Sequence, residues 1–505
     1  MNRKNQNAAL SSQQTNEPTK FAGDIIWVGI ASLFNSVTLG LGTLPALTKF
    51  YSPAMFGVWT QILITYQLLS PLVALSLTLA VVRFLSGNED KNDRRQALGT
   101  MLFVISIVAS IFLIFANVMA SQLSVLIFNS RQFSDFVRLA ALWVVVNAYF
   151  SFLVAYMLSC GKIMLLSICQ VILDLLTLGI IIIMATHGIQ MEWVVASVVG
   201  IWILFTLWFF SIVIRDVGWP LPNTKGLKSY LSFSIPQIPA GILLWIIGSS
   251  DRYIITHFLG LSETGIYTSS DALGGLLWLI YYPIQFVLFP TISRLWEEKR
   301  FDDVKQYLEH STRLFITLAI PAVAGITILS QPMLQIFTTS KYLLGDKLIF
   351  LIATSTLFMG IYSINVNVVY LRQQTKILPL MIGVAAIINI LMNLILIPHI
   401  GLVGAAISNI VSCFILAVIV SLWTRRQISY NVNPLHIMKI IGATIIMSLC
   451  LFFIKVHSVI DFILVVALGI LILIISLFLL KAISEHDKKL IKNILRGLIP
   501  SIKIK

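Results

Sequence analysis

Charge is what this chain has least of. Asp, Glu, Lys and Arg make up only 11% of its 505 residues, against 58% hydrophobic, and the mean hydropathy is +0.92. A chain this apolar has too few polar groups to cover a water-facing surface, which excludes a soluble globular domain and leaves an integral membrane protein. Cysteine is nearly absent. Cys160, Cys169, Cys413 and Cys450 lie within or at the ends of apolar runs without CxxC or metal-like spacing, so they read as small packing residues and no metal site is expected. No GxxxxGK[ST] loop occurs, so ATP is not the expected energy source, and no cofactor is implied. The first twenty residues lack the basic, apolar, small-residue succession of a cleaved signal and read as a disordered tail. Long acidic or arginine-rich outer loops, which a membrane glycan polymerase or glycosyltransferase needs, are also missing.

What is present is hydrophobic length. Crossing a bilayer core takes about 20 residues, and fourteen apolar runs reach that order: 23–47, 54–81, 97–119, 136–159, 163–186, 191–214, 228–252, 265–290, 311–336, 347–370, 377–397, 400–423, 434–454 and 459–480. With no water to satisfy backbone groups, each run should be a helix. The expected fold class is therefore an all-α polytopic membrane protein. If the amino terminus is cytoplasmic, 28 of the 35 Lys and Arg fall on the inner side. That asymmetry places both termini in the cytoplasm. The net charge of +14 is then topological, and a nucleic-acid partner is not implied.

The chain also repeats itself. Phe50-Tyr-Ser-Pro-Ala-Met-Phe-Gly57-Val-Trp59-Thr60 matches Phe258-Leu-Gly-Leu-Ser-Glu-Thr-Gly265-Ile-Tyr267-Thr268 at an offset of 208. Val82-Arg83-Phe84 matches Ser293-Arg294-Leu295, and Leu158-Ser-Cys-Gly-Lys162-Ile163 parallels Leu371-Arg-Gln-Gln-Thr-Lys376-Ile377. Six spans separate matched positions, an even number, so the copies insert with one orientation and form a parallel repeat. The expected division is a tail (1–20), a six-helix lobe (21–216), a Pro- and Gly-bearing linker (217–226), a second six-helix lobe (227–426), two extra helices (427–484) and a basic tail (485–505).

The stretch 228–294 contains Ser232-Phe-Ser-Ile-Pro236, Asp251-Arg252, Gly260-Leu-Ser-Glu-Thr-Gly265-Ile-Tyr267 and Asp271. It resembles the lipid-linked oligosaccharide flippases, the polysaccharide-transporter branch of the multidrug, oligosaccharidyl-lipid and polysaccharide exporter superfamily. Phe50 to Gly57 looks like the first-lobe counterpart, and the resemblance covers residues 20–480. It implies a carrier in the bacterial inner membrane that moves undecaprenyl-diphosphate-linked repeat units outward by alternating access, for O-antigen, capsule or a related polymer. Implied partners are that lipid-linked oligosaccharide, membrane lipids, H⁺ or Na⁺, and a polymerase with its chain-length machinery. Such carriers are not enzymes. A drug exporter of the same superfamily is disfavoured because span one offers only Asp24 and Asn35, with no mid-depth acid. A peptidoglycan-precursor flippase is disfavoured because span one lacks arginine.

Charges at membrane depth are costly, about 2.5–3.5 kcal/mol each on insertion scales, and usually face protein or a wet cavity. Three acids qualify as ion-coupling candidates. Asp174 lies mid-depth in span five, one turn from Gln170, and the matching place in the second lobe holds Asn389 and Asn393. Asp251 and Asp271 should reach similar depth in neighbouring spans, where pairing with Arg252 would make an outer gate. Arg83, Arg252 and Arg294 are the diphosphate or gate candidates, since guanidinium offers bidentate donors to phosphate. Positive-inside anchoring is the competing reading for Arg83 and Arg294. Pro236 and Pro239 should bend span seven into a hinge.

Overall fold

The computed structural model describes residues 34–87, 90–223, 226–430, 433–456 and 458–481. The amino-terminal tail, Asp24, the start of the span expected at 23–47 and the basic tail expected at 485–505 lie outside the described residues. Among those described, every apolar run is helical and no strand occurs. In order, α1 covers residues 34–48, with a π-helical stretch Ser36–Gly42 before Thr43–Thr48. The next are α2 (Pro53–Val73), α3 (Lys91–Val118), α4 (Arg131–Ser159), α5 (Ile163–Thr186), α6 (Met191–Val217), α7 (Leu227–Phe258) and α8 (Leu261–Glu297). They are followed by α9 (Phe301–Ile328), α10 (Ser340–Leu371), α11 (Thr375–Ile400), α12 (Leu402–Gln427), α13 (Pro434–Phe452) and α14 (Val459–Leu479). The thirteen from α2 to α14 are long and apolar enough to cross a membrane.

Local chemistry sets the helix starts. Ser52 accepts from the Met55 N–H ahead of Pro53, Asp90 accepts from Asn92 and Asp93, and Ser458 with Asp461 forms a reciprocal capping box. Periodicity sets their faces. On α11, Leu380, Val384, Ile387, Leu391 and Leu394 are exposed, while Ala385, Asn389 and Asn393 are buried. The lipid side is therefore apolar and the amides turn inward, as a helix in hydrocarbon requires. On α5 the same logic exposes Ile168, Ile172 and Leu175 and buries Asp174 and Thr177.

Three spans are interrupted. After Pro71, Leu75 and Ser76 both adopt φ near +50°, and the chain resumes as the short helix Leu77–Leu85. Left-handed backbone costs roughly 1–2 kcal/mol per non-glycine residue; here the turn keeps its N–H groups bonded, with Leu75 donating to Leu72 and Ser76 to Pro71, both at 2.9 Å. In α7, Ile235–Gln237 is a 3-10 turn between Leu227–Ser234 and Ile238–Phe258, where Pro236 and Pro239 were expected to bend the span. In α8, Gly275–Leu277 is a 3-10 turn, whereas Pro283 and Pro290 lie inside the continuous helix Trp278–Glu297.

Helices α1–α6 and α7–α12 form two six-helix lobes, with α13 packed on α9 and α14 on α13. Trp143 centres lobe one, stacked on Tyr66 at 4.7 Å and tilted against Trp59 and Trp202. Across the lobes, the most extensive contact is between α2 and the Leu261–Gly274 part of α8. The connecting stretch is held down rather than loose: Arg95 donates to the Trp219 carbonyl at 2.6 Å, and Asn223 is bonded to both Gln96 and Thr100. Gly99 makes room for it, since an added Cβ would lie 2.4 Å from the Leu221 backbone.

Candidate functional site

The second lobe gathers its polar residues on α7, α8, α11 and α12. Arg252 sits between two carboxylates, with Nη1 2.8 Å from Asp251 and Nη2 2.6 Å from Asp271. Nη1 also donates to the Gly248 carbonyl at 2.7 Å, and the guanidinium lies 5.4 Å from the Tyr267 ring centroid. Asp251 further accepts from the Arg252 backbone N–H and from Asn409 Nδ2, both at 2.9 Å. From there an amide ladder runs inward: Asn389 donates to Asn409 at 2.8 Å and to Ser412 at 2.9 Å, and Asn393 donates to Asn389 at 2.9 Å. Every amide N–H₂ in the ladder points toward Asp251. At the far end, Asn393 Oδ1 is buried without a hydrogen-bond partner.

Exposure orders the chain. The side chains of Asp251 and Arg252 are 0% and 5% exposed, while Asp271 is 39% exposed. Asp271 is thus its open end. With both acids ionised the three groups carry one net negative charge. A buried pair of this kind stands because each charge keeps a partner.

This chain is tied to lobe one through backbone as well as side chains. Gln61 of α2 is fully buried and donates to the Arg252 carbonyl at 2.9 Å and to the Thr256 hydroxyl. Thr256 in turn bonds Thr264 at 2.7 Å. Thr65 meets Tyr253 at 2.5 Å, and Trp245 Nε1 donates to the Ile64 carbonyl at 3.0 Å. One turn before Gln61, the helices cross at glycine. A Cβ on Gly57 would lie 2.0 Å from the Leu261 carbonyl oxygen, and one on Gly265 would lie 2.1 Å from that of Pro53. Both pairs are related by the repeat's offset of 208, so the crossing is a reciprocal backbone contact about the pseudo-two-fold axis. The repeated motif is the place where the lobes touch.

Lobe one holds its acid differently. Asp174 is fully buried and accepts from Asn35 of α1 at 3.0 Å and from Gln170 at 2.9 Å. Its partners are amides, with no cation within ion-pair distance among the described residues. The neighbouring Thr177 hydroxyl is buried and unpartnered.

The paired arginines also part ways. Arg83 lies 4.3 Å over the Phe233 ring of α7, and Phe84 packs on Tyr230 and Phe233 at 5.3 and 5.9 Å. This aromatic clasp joins the end of the short helix Leu77–Leu85 in lobe one to the start of α7 in lobe two. Arg294 is 71% exposed and 3.9 Å from Glu298, an ordinary surface pair. Sequence reasoning missed Asn409, Gln61 and Tyr253. Gly57 and Gly265 were visible as a repeat, but not as a contact.

A family profile described as "Polysaccharide biosynthesis protein" matches residues 46–344. The chain is 21% identical over 323 residues to the "Probable low-salt glycan biosynthesis flippase Agl15" of Haloferax volcanii, a match covering 63% of this chain and 67% of that one. It is 28% identical over 211 residues to the "Probable lipid II flippase MurJ" of Haemophilus influenzae, 39% of each chain. Against the "Succinoglycan biosynthesis transport protein ExoT" of Rhizobium meliloti it is 22% identical over 342 residues, 65% of each. These last two matches span less than two-thirds of the relatives' length. In fold it superposes on a lipid II flippase MurJ in an inward closed conformation with a TM-score of 0.75 at 14% identity, over 90% of this chain and 98% of that one. On an inward-facing MATE transporter of the MOP superfamily the TM-score is 0.62 at 14% identity, over 79% and 94%.

Proposed function

The chain belongs to the polysaccharide biosynthesis protein family, and on that premise we propose that it is a flippase for undecaprenyl-diphosphate-linked oligosaccharide. It moves repeat units from the inner to the outer leaflet of a bacterial inner membrane by alternating access, with both termini cytoplasmic. An H⁺ or Na⁺ gradient drives it, and the product passes to a polymerase and its chain-length machinery for O-antigen, capsule or a related polymer. The observation that carries the reading is the Asp271–Arg252–Asp251 chain, whose Arg252 and Asp251 are buried within the apolar helices α7 and α8 yet which is bonded across the seam to Gln61. A merely structural bundle has no use for charges whose cost is several kcal/mol.

In this mechanism the Gly57–Gly265 crossing shuts the outer face, and its separation opens it. Arg83 has no carboxylate partner among the described salt bridges. When the clasp on Phe233 opens, its planar donors are free to receive a diphosphate. Asp174 and Asp251 are the coupling acids, one held by amides and one by a guanidinium. Asn393 Oδ1, the orphan acceptor at the ladder's end, favours a cation close to Asn389.

The test is transfer of a fluorescent polyprenyl-diphosphate oligosaccharide across proteoliposomes that contain the full chain. Transfer faster under an imposed H⁺ or Na⁺ gradient supports the reading. Inserted, monodisperse protein that moves nothing under either gradient would sink it.

A further inference from the structure

Asp271 meets Arg252 across the contact between α7 and α8, so the side of α8 that carries it faces α7. Steps of seven, four, three, four and seven residues continue that side through Trp278, Tyr282, Gln285, Phe289 and Trp296. Helix α7 does not follow it. Its Ile238–Phe258 part packs on α8, α11 and α12 of its own lobe, but ahead of the 3-10 turn its Leu227–Ser234 part packs on α3 and the short helix Leu77–Leu85 of lobe one. The bend thereby uncovers the Trp278–Glu297 part of α8, where Tyr282 and Phe289 are 40% and 38% exposed. On α7, the face opposite Tyr230 and Phe233 borders an open space of about 630 Å³ at Lys228, Ser232 and Ile235.

The uncovered side is aromatic and held in place. Trp278 and Tyr282 are stacked, with ring centroids 5.6 Å apart and an interplanar angle of 26°. Phe289 meets the Tyr370 ring of α10 edge-on at 6.2 Å, and the Arg372 guanidinium lies 5.3 Å from the Trp296 ring centroid. Between them Gln285 exchanges hydrogen bonds with Asn367 of α10 at 3.0 and 2.9 Å, which pins the stripe to the lobe. From Trp278 to Trp296 is about 27 Å of helix, so the stripe runs through the membrane's depth, unlike the aromatic belts that collect at its two surfaces.

Hydrocarbon does not suit this side. The Tyr282 hydroxyl, about 18 Å of helix from Arg294, has no hydrogen-bond partner among the described residues, and an unpaired hydroxyl in lipid is costly. An organic cation is disfavoured by Arg372 at the Trp296 end. A ligand with both C–H faces and hydroxyls fits. The electronegative ring faces attract the polarised C–H groups of a pyranose, while Tyr282 and the 39%-exposed Asp271 can bond its hydroxyls. Resting on the flippase reading above, we propose that this stripe seats the oligosaccharide of the carried lipid, stacking its sugar rings on Trp278, Tyr282 and Phe289 next to Asp271.

The experiment uses the full chain in nanodiscs with two fluorescent probes, polyprenyl diphosphate bearing lactose and polyprenyl diphosphate without sugar. The unsubstituted protein should bind the lactosyl probe more tightly. Tyr282→Leu and Phe289→Leu should each weaken lactosyl binding about tenfold, the factor corresponding to about 1.4 kcal/mol, and leave sugar-free binding unchanged. Tyr282→Phe keeps the ring and should keep most of the affinity. Equal binding of both probes by the unsubstituted protein, equal loss of both in monodisperse Leu variants, undiminished lactosyl binding by those variants, or a Tyr282→Phe protein as weak as Tyr282→Leu would each overturn the proposal. Transfer of the lactosyl probe by the unsubstituted protein is measured in parallel. If it is transferred while the Leu variants bind it undiminished, only the stripe assignment fails; if neither probe is transferred, the flippase reading itself fails.

Discussion

The two lobes share a fold and a repeated motif, yet they hold their buried acids by opposite means. Asp174 in lobe one rests on the amides of Asn35 and Gln170, while Asp251 in lobe two rests on a guanidinium that a second carboxylate also shares. Removing an amide-held acid strands no charge. Removing Arg252 from the second cluster leaves two carboxylates without their cation, whereas removing either acid leaves one ion pair. Duplication therefore supplied the scaffold, and divergence placed a neutral polar node in one half and an ionic one in the other.

The largest effect should come from making lobe two lose its cation. Arg252→Met leaves Asp251 and Asp271 without a counter-charge and should destabilise the protein by about 3–5 kcal/mol, read as a fall in thermal stability in detergent. Adding Asp251→Asn should recover much of that loss, since residues in contact couple; simple additivity of the two defects would break the ionic account. Next come the matched glycines. Gly57→Val and Gly265→Val should each oppose closure of the crossing by roughly 1–3 kcal/mol and do so equally, raising the labelling of a reporter cysteine on that face. Unequal effects would show that the contact is not reciprocal.

Asp174→Asn should alter stability by no more than about 1 kcal/mol and leave insertion intact, while abolishing gradient-driven transfer. Unchanged transport would remove lobe one from coupling. The smallest change should be Arg83→Lys, which keeps charge but loses planar stacking worth about 0.5–1 kcal/mol and should weaken headgroup binding. Arg294→Lys, the matched control, should do neither.

Much of this was legible in the residues. Hydropathy located the spans, Pro236 marked the interruption of α7, and the motif at offset 208 announced a parallel repeat. Asp251, Arg252 and Asp271 were expected to meet, and they do. What stayed hidden depends on which neighbour a side chain finds. Asn409 is one of many amides in a long apolar chain, and nothing local reveals that it bridges Asp251 to Asn389. Arg83 and Arg294 look equivalent because a repeat records ancestry, not surroundings; only the former faces an aromatic ring of the other lobe. The linker's Pro and Gly content suggests slack, because the side chains that fasten it lie more than a hundred residues earlier, on α3.

That fastening has a mechanical consequence. Trp219 to Asn223 are clamped along α3, and α7 opens after Gly226, where φ is +88°. On the flippase reading, a tilt of the second lobe would act first on the opening turns of α7, between Gly226 and the 3-10 turn Ile235–Gln237.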